Sequence, residues 1–258
     1  MLRLRIKRTI SVEHSIAEER QSLAPLPAPP CIVHGPPPFD YYFGKYIQKT
    51  HEIITSRKLV WNRYFAEFSG TFLMVLLGCG SMALGWSSLA ISITFGLSVF
   101  TAIMIFQPIS GAHINPAVSI AFAAKGDLET KALPGYIIAQ CLGAFIAALI
   151  VVDGATSPKV SIANTWAIEI AITFLLMYSI HVLVRRDVSL FKLAFGVGLM
   201  VAVLSFFFGG LTGSSMNPAR TMGPNIVTES GHLILYSIAP VIGALLSNFI
   251  PEPLDEEL

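Results

Sequence analysis

Apolar residues fill most of the chain between about residue 61 and residue 250, in long runs separated by short polar connections. A helix needs about 20 apolar residues to cross the hydrocarbon core of a bilayer. The pattern therefore predicts six membrane-spanning helices, at about 62–84, 88–107, 131–152, 162–184, 191–208 and 232–250. Two further apolar runs have only about ten residues each, at 115–124 and 217–227. Since ten helical residues rise about 15 Å, half of that core, both runs are predicted to re-enter the membrane without crossing it.

The two halves of this apolar region, about 61–152 and 162–250, repeat each other. Four pairs of segments match in order along the chain, three at an offset of 102 residues and the last at 100: Glu67–Leu73 with Glu169–Leu175, Phe95–Leu97 with Val197–Leu199, Ser110–Ala117 with Thr212–Ala219, and Tyr136–Ala144 with Tyr236–Ala244. Each half holds an odd number of full spans, so the second half enters the membrane from the opposite side. The sequence thus predicts an all-α membrane protein built as an inverted repeat, with six transmembrane helices and two re-entrant half-helices.

Each short run begins with the same tripeptide, at Asn115-Pro116-Ala117 and at Asn217-Pro218-Ala219. Asn is a favoured N-cap and Pro a favoured first helical residue, so both tripeptides are typical of a helix start. A single copy is typical of an ordinary turn, but two copies at matched repeat positions indicate a site near the membrane midplane. Two facing helix starts would disfavour cations there, hydronium included. With the Asn oxygens used for capping, both N–H donors of each amide are predicted to face a lumen and bind the oxygen of a neutral molecule.

Composition excludes several functional classes. Only 13% of the residues are charged, about half of the fraction usual in soluble domains, and the mean hydropathy is +0.66. The net charge of +1 argues against a nucleic-acid binder, which normally carries a basic excess. The sequence holds no nucleophile–base pair, phosphate-binding loop or metal-ligand spacing, so we predict neither an enzyme nor a cofactor or metal.

The two ends of the chain differ from the apolar region. Residues 1–60 combine a basic start with two proline-rich runs and are predicted to form a disordered tail, while residues 251–258 form a short acidic tail. With the amino terminus inside, 15 of the 17 Lys and Arg residues lie on the inner side and only Lys159 and Arg220 lie outside. This asymmetry predicts that both termini are cytoplasmic. The expected location is the lipid of the plasma or cell membrane.

Two segments carry a family resemblance. Ser110–Val118 (Ser-Gly-Ala-His-Ile-Asn-Pro-Ala-Val) and Gly213–Pro224 (Gly-Ser-Ser-Met-Asn-Pro-Ala-Arg-Thr-Met-Gly-Pro) resemble the paired signature boxes of the aquaporin, or major intrinsic protein, family. The resemblance covers about residues 61–250. It implies a right-handed bundle assembled as a homotetramer, with one pore per subunit. It also implies a passive channel for water, with small neutral solutes as further cargo.

The resemblance also implies a narrow constriction formed by an arginine and three other residues. The matching positions in this chain are Phe95, Ser205, Ser214 and Arg220. An arginine at membrane depth is costly and indicates function, here the repulsion of cations and hydrogen bonding to solute. Strict water channels have histidine at the Ser205 position, so serine is expected to widen the opening. Thr221 stands where the glycerol-facilitator branch has aspartate, and the second box, with Tyr236, is most similar to the plant nodulin-like branch.

Three polar residues have two interpretations each. Glu67 and Glu169 could couple protons in a carrier, but the resemblance implies that they accept hydrogen bonds from the backbone of the re-entrant loops, and we predict that role. His113 is predicted to fix its loop rather than to bind a metal, because no second His or Cys lies at ligand spacing.

Four functions remain open at this point. The first is a water channel. The second is a facilitator mainly for glycerol, urea, ammonia or metalloid acids, which the small residues Ser205 and Ser214 favour. The third is a proton-coupled carrier, and the fourth is a structural membrane-junction protein with little flux.

Overall fold

The computed structural model describes residues 39–250, with side chains described from Leu59 onward. These residues form eight α-helices and no strand: α1 (Phe39–Ala83), α2 (Ser88–Ser110), α3 (Pro116–Lys125), α4 (Leu133–Val151), α5 (Ile162–Arg185), α6 (Leu190–Thr212), α7 (Pro218–Val227) and α8 (Leu233–Ser247). The predicted all-α fold class is confirmed, with the two ten-residue helices α3 and α7 at the positions of the predicted re-entrant runs.

Five helices in the described part of the chain are long and apolar enough to span a membrane: Leu59–Ala83 of α1, and all of α2, α4, α5 and α6. The sixth predicted span, 232–250, coincides with α8, which is apolar but has only 15 residues. Its end is fixed by Asn248, whose side chain contacts the Ala121 carbonyl oxygen at 3.1 Å and His181 Nε2 at 2.8 Å. The proline after Ile250 also disfavours helical backbone at that residue.

α1 begins at Phe39, inside the segment 1–60 that the sequence predicts as a tail. The last proline of the tail is Pro38, and no proline interrupts residues 39–83. Each residue of that stretch can therefore donate its backbone N–H to the helix. Residues 1–38 and 251–258 lie outside the described residues, so the disorder and the acidic tail predicted there remain predictions.

Glycines at matched repeat positions allow the helices to cross closely. Gly96 of α2 faces Gly198 of α6, and a Cβ atom added at either glycine would lie 2.6 Å from the carbonyl oxygen of the other. Gly143 of α4 packs in the same way on the backbone at Phe68, and its repeat mate Gly243 packs on the backbone at Ile170. Small residues permit such backbone contact between membrane helices. The packing therefore has the internal symmetry that the sequence repeat predicts.

Two buried tyrosines fix the ends of the helices that precede the half-helices. The Tyr136 hydroxyl donates to the Ser110 carbonyl at 2.6 Å, and the Tyr236 hydroxyl donates to the Thr212 carbonyl at 2.5 Å. Ser110 and Thr212 are the last residues of α2 and α6. These bonds satisfy carbonyl groups that a helix end leaves without an intrahelical partner. They hold in place the points from which both loops turn towards the half-helices.

Candidate functional site

The two asparagines that begin the half-helices meet in the protein interior. Asn115 Nδ2 donates to the Met216 carbonyl oxygen at 2.8 Å, and Asn217 Nδ2 donates to the Ile114 carbonyl oxygen at 2.9 Å. Each acceptor belongs to the residue just before the other asparagine. The two loops are therefore joined by a reciprocal pair of hydrogen bonds.

Each asparagine also caps its own half-helix, as the tripeptides predict. Asn115 Oδ1 accepts from the Ala117 N–H at 2.9 Å, and Asn217 Oδ1 accepts from the Ala219 N–H at 3.0 Å. The prediction that both N–H donors of each amide face a lumen is wrong, since one donor of each is used on the opposite loop. The reason is that the loop carbonyl groups are themselves buried and need a donor. One N–H per amide is left for other partners, and for Asn217 the Met74 sulfur lies 3.8 Å from Nδ2.

The loops before the half-helices have an alternating backbone. Ala112 and Ile114 have φ values of 47° and 44°, and their repeat mates Ser214 and Met216 have φ values of 45° and 52°. A non-glycine residue in this left-handed region costs about 1–3 kcal/mol and persists only where surrounding contacts determine it. The strain is therefore evidence that both loops are held from outside.

The two membrane-buried glutamates provide that support. Glu67 accepts from the N–H groups of His113 and Ile114, at 2.9 and 2.7 Å, and Glu169 accepts from those of Ser215 and Met216, both at 3.0 Å. The hydroxyls at the ends of α2 and α6 donate to the same carboxylates, each at 2.7 Å. Both glutamates are fully buried. Each glutamate thus accepts hydrogen bonds from the backbone N–H groups of one strained loop.

His113 lies between its loop and the first half-helix. Its Nδ1 is 3.1 Å from Ser119 Oγ, and its ring stacks on Phe122 with the centroids 4.8 Å apart. The described part of the chain contains no group of three or more His, Cys, Asp or Glu residues that could hold a metal ion.

Arg220 is held from three directions although it is only 3% exposed. Nη1 donates to the Gly154 carbonyl oxygen at 2.8 Å, and Nη2 lies 3.5 Å from the Met82 sulfur. The guanidinium carbon is 5.0 Å from the centroid of the Phe95 ring, a cation–π distance. Among the described residues, no carboxylate lies within salt-bridge distance of this cation. Its charge is stabilised by dipoles and by an aromatic face.

The segment that carries Gly154 is anchored two residues further on by a buried polar network. Thr156 donates its N–H to Asn225 Oδ1 at 2.9 Å, and Asn225 Nδ2 donates to the Thr156 carbonyl at 2.8 Å. The Thr156 hydroxyl lies 2.7 Å from the Thr221 hydroxyl, which lies 2.6 Å from that of Ser215. The connection between α4 and α5 is in this way tied to the half-helix that carries Arg220.

A cavity of about 240 Å³ runs beside these groups. Its wall includes both asparagines and all four residues of the predicted constriction: Asn115, Asn217, Phe95, Ser205, Ser214 and Arg220. It follows α6 from Leu193 to Gly210, which corresponds to about 25 Å along a helix. Residues of both loops before the half-helices contribute to its wall, and most of the other lining residues are apolar. Neither Glu67 nor Glu169 lines the cavity.

Sequence reasoning missed two contacts of Arg220. The Gly154 contact comes from a backbone carbonyl in an irregular connection and leaves no signal in the side chains. The Met82 contact had a signal in the sequence, because Met74 and Met82 are large apolar residues whose repeat mates, Leu176 and Val184, are large and apolar as well. In the structure all four side chains line the cavity.

Comparisons with known proteins agree with this architecture. The model of the major intrinsic protein family matches residues 54–250. The chain is 36% identical to aquaporin NIP1-2 of Oryza sativa subsp. japonica over 70% of the chain and 67% of the relative. It is 35% identical to aquaporin-4 of Mus musculus, over 78% and 71%, and 33% identical to glycerol uptake facilitator protein-like 6 of Lactiplantibacillus plantarum, over 76% and 99%.

Among solved structures, the aquaglyceroporin from Plasmodium falciparum resembles this fold with a TM-score of 0.69. The match covers 72% of the chain and 93% of that structure, at 27% sequence identity.

Proposed function

The chain belongs to the major intrinsic protein family, and from this premise we propose that its cavity is a passive channel for water and small neutral solutes. The chain is a multi-pass integral membrane protein and not an enzyme. The observation that carries the proposal is the reciprocal bonding of Asn115 and Asn217 beside the cavity. The names of the relatives, which include aquaporins and a glycerol uptake facilitator, support this cargo.

We propose that the two asparagines select for neutral molecules. Asn115 has one N–H left after its bond to the opposite loop, and that donor can bind the oxygen of a passing molecule. The second N–H of Asn217 faces only the weakly accepting Met74 sulfur at 3.8 Å and can exchange it for such an oxygen. The half-helix starts add positive potential from both sides, which opposes cations. A water molecule that accepts from these donors directs its own hydrogens away from the asparagine pair. Such an orientation interrupts proton relay along a file of water.

The selectivity constriction is proposed at Phe95, Ser205, Ser214 and Arg220, all of which line the cavity. A guanidinium has five N–H donors, of which Arg220 uses two on Gly154 and Met82. The remaining donors can bind a hydroxylated or amide solute, while the charge repels cations. Ser205 and Ser214 leave more room than a histidine would, which suits glycerol and urea as well as water.

Glu67, Glu169 and His113 are proposed to support the loops. The carboxylates already accept donors from their own loops and lie outside the cavity wall, which disfavours the proton-coupled carrier.

Several features of the assembly are also proposed. The distribution of Lys and Arg supports cytoplasmic termini. Many large apolar side chains on α2, α4 and α6 are exposed, among them Leu97, Ile138 and Phe207. They fit a surface that contacts lipid and neighbouring subunits in a homotetramer of the plasma or cell membrane.

Purified protein in liposomes tests the channel directly. We expect stopped-flow water permeability well above that of bare lipid, with measurable uptake of glycerol or urea and no dependence on a proton gradient. Permeability equal to bare lipid would reject the channel. Uptake that collapses when the proton gradient is removed would favour the carrier.

Replacing Ser205 by histidine is expected to reduce glycerol and urea permeability more than water permeability. The imidazole would extend from α6 into the cavity that Arg220 also lines. We expect the solute-to-water ratio to fall about tenfold, within the range that small steric changes produce in closely fitted sites. Ser205→Ala is the matched control and should leave the ratio nearly unchanged. An equal loss of water and solute flux in Ser205→His would contradict the proposed position of the constriction.

A further inference from the structure

The face of α1 that is turned towards the cavity has a gap at Gly78. Met74 and Met82 lie four residues to either side of it and line the cavity, whereas Gly78 does not. Residues at this spacing share one face of a helix. The gap is filled from α2, because a Cβ atom added at Gly78 would lie 2.6 Å from Cζ of Phe95 and still closer to Cδ1 and Cε1. The Phe95 ring therefore packs directly on the backbone of α1.

In the second half of the repeat, the large and the small residue at these two positions are exchanged between the helices. The repeat mate of Gly78 is Ile180 and that of Phe95 is Val197, and both of these mates line the cavity. One half thus combines a glycine with a phenylalanine, and the other combines an isoleucine with a valine. The larger side chain is on the second helix of the pair in the first half and on the first helix of the pair in the second half. A glycine at this position is therefore not required by the helix itself, since the matching helix has isoleucine there. It is required by the phenylalanine ring that packs on it.

The Phe95 ring has little freedom to move elsewhere. It is 6% exposed, and the Arg220 guanidinium lies over its face at 5.0 Å. The depth to which the ring enters the gap at Gly78 therefore determines how far it extends into the cavity beside Arg220.

We propose that Gly78 is a positioning residue that sets the width of the constriction through Phe95. It determines passage of neutral solutes larger than water, such as glycerol and urea. The inference rests on the proposed channel function and deepens it. Gly78 itself contacts no solute; a side chain there displaces the aromatic ring towards Arg220 and narrows the passage.

The test compares Gly78→Ala with Gly80→Ala in liposomes. Both glycines lie in α1, so the change in helix propensity is alike, but a Cβ atom at Gly80 meets only one methyl of Val151, at 4.0 Å. We expect Gly78→Ala to lower the urea-to-water and glycerol-to-water permeability ratios about tenfold, and Gly80→Ala to leave both ratios at the wild-type value. Equal ratios in the two variants would overturn the inference.

A second background shows whether Gly78 acts through the ring. Phe95→Val gives the residue found at the matching position of the other half. In that background Gly78→Ala should change the ratios less than about twofold, since interacting residues are non-additive. A tenfold drop in both backgrounds would show that Gly78 does not act through Phe95.

The design also covers a variant that fails to fold. If Gly78→Ala alone gives no folded protein, recovery of folding and water flux by added Phe95→Val supports the inference, and failure to recover overturns it. Absence of flux in the wild-type protein overturns the proposed function and this inference together. Wild-type flux with unchanged ratios in Gly78→Ala overturns this inference alone.

Discussion

Replacing Glu169 by leucine is expected to reduce water permeability to that of bare lipid. The change removes the acceptor of three donors, namely the N–H groups of Ser215 and Met216 and the Thr212 hydroxyl. Each buried donor left without a partner costs about 1–3 kcal/mol. The total is comparable to the whole stability of a small domain, about 5–15 kcal/mol. The left-handed backbone at Ser214 and Met216 would also lose the contacts that maintain it.

Glu67 holds the first loop in the same way and accepts one donor more, because Gln140 Nε2 also donates to it at 2.8 Å. Leucine at Glu67 would leave these buried donors without an acceptor. We therefore expect Glu67→Leu to be damaging as well. Both should lower the thermal melting temperature of the protein in detergent as well as the flux.

Two controls separate loop support from general loss of charge. Glu169→Gln keeps the size and one acceptor oxygen, and should retain part of the flux. Glu129 is an exposed carboxylate, and Glu129→Leu should behave as the wild type. Wild-type melting and flux in Glu169→Leu would contradict the loop-supporting role. Retained melting with a loss of proton-dependent uptake alone would indicate coupling instead.

The sequence predicts the fold well because the repeat constrains it. Two matched Asn-Pro-Ala tripeptides at the heads of runs too short to span require two half-helices, and α3 and α7 are found there. Glycines and tyrosines at matched repeat positions make the close helix crossings and hold the helix ends in both halves. Symmetry does this because each local signal occurs twice, at positions that the repeat relates.

The details that escaped prediction have physical reasons. One N–H of each asparagine is bound by a carbonyl oxygen of the opposite loop. Every residue has such a carbonyl, so the sequence does not show which one acts as the acceptor. The same holds for the Gly154 carbonyl, which accepts from Arg220 and lies two residues before the Thr156–Asn225 anchor. The repeat mate of Asn225 is Ala123, so this anchor belongs to one half only. A feature that is confined to one half, as Asn225 is, cannot be predicted from the repeat.

Replacing Arg220 by valine is expected to open the channel to cations and to larger solutes. Arg220 is the only Asp, Glu, Lys or Arg residue among those lining the cavity. A monovalent cation about 4 Å from a guanidinium is repelled by about 4 kcal/mol at an effective dielectric constant near 20. Removing that repulsion corresponds to about a thousandfold rise in cation occupancy at this position. The half-helix starts still oppose cations at the asparagines, so the increase in conductance should be smaller than this figure.

Arg220→Lys separates the charge of this residue from its geometry. Lysine keeps the positive charge but has no planar fork, so it cannot hold the Gly154 carbonyl and the Met82 sulfur as arginine does. We expect cation exclusion to persist in this variant while the ratio of glycerol to water flux changes. Lysine and valine at the same position should thus affect different measurements.

The cation leak is measured as conductance across planar bilayers and as proton flux into dye-loaded liposomes. The width of the constriction is measured by glycerol uptake. Lys159→Val is the matched control, because Lys159 lies beside Leu211 at the same end of α6 without lining the cavity. It removes a positive charge from the same end of the channel, and its conductance should equal that of the wild type. If Arg220→Val stays as impermeable to cations as the wild type, exclusion resides at Asn115 and Asn217 rather than at the constriction. If Lys159→Val leaks as much as Arg220→Val, the effect is one of surface charge, and the assignment of Arg220 to the constriction is wrong.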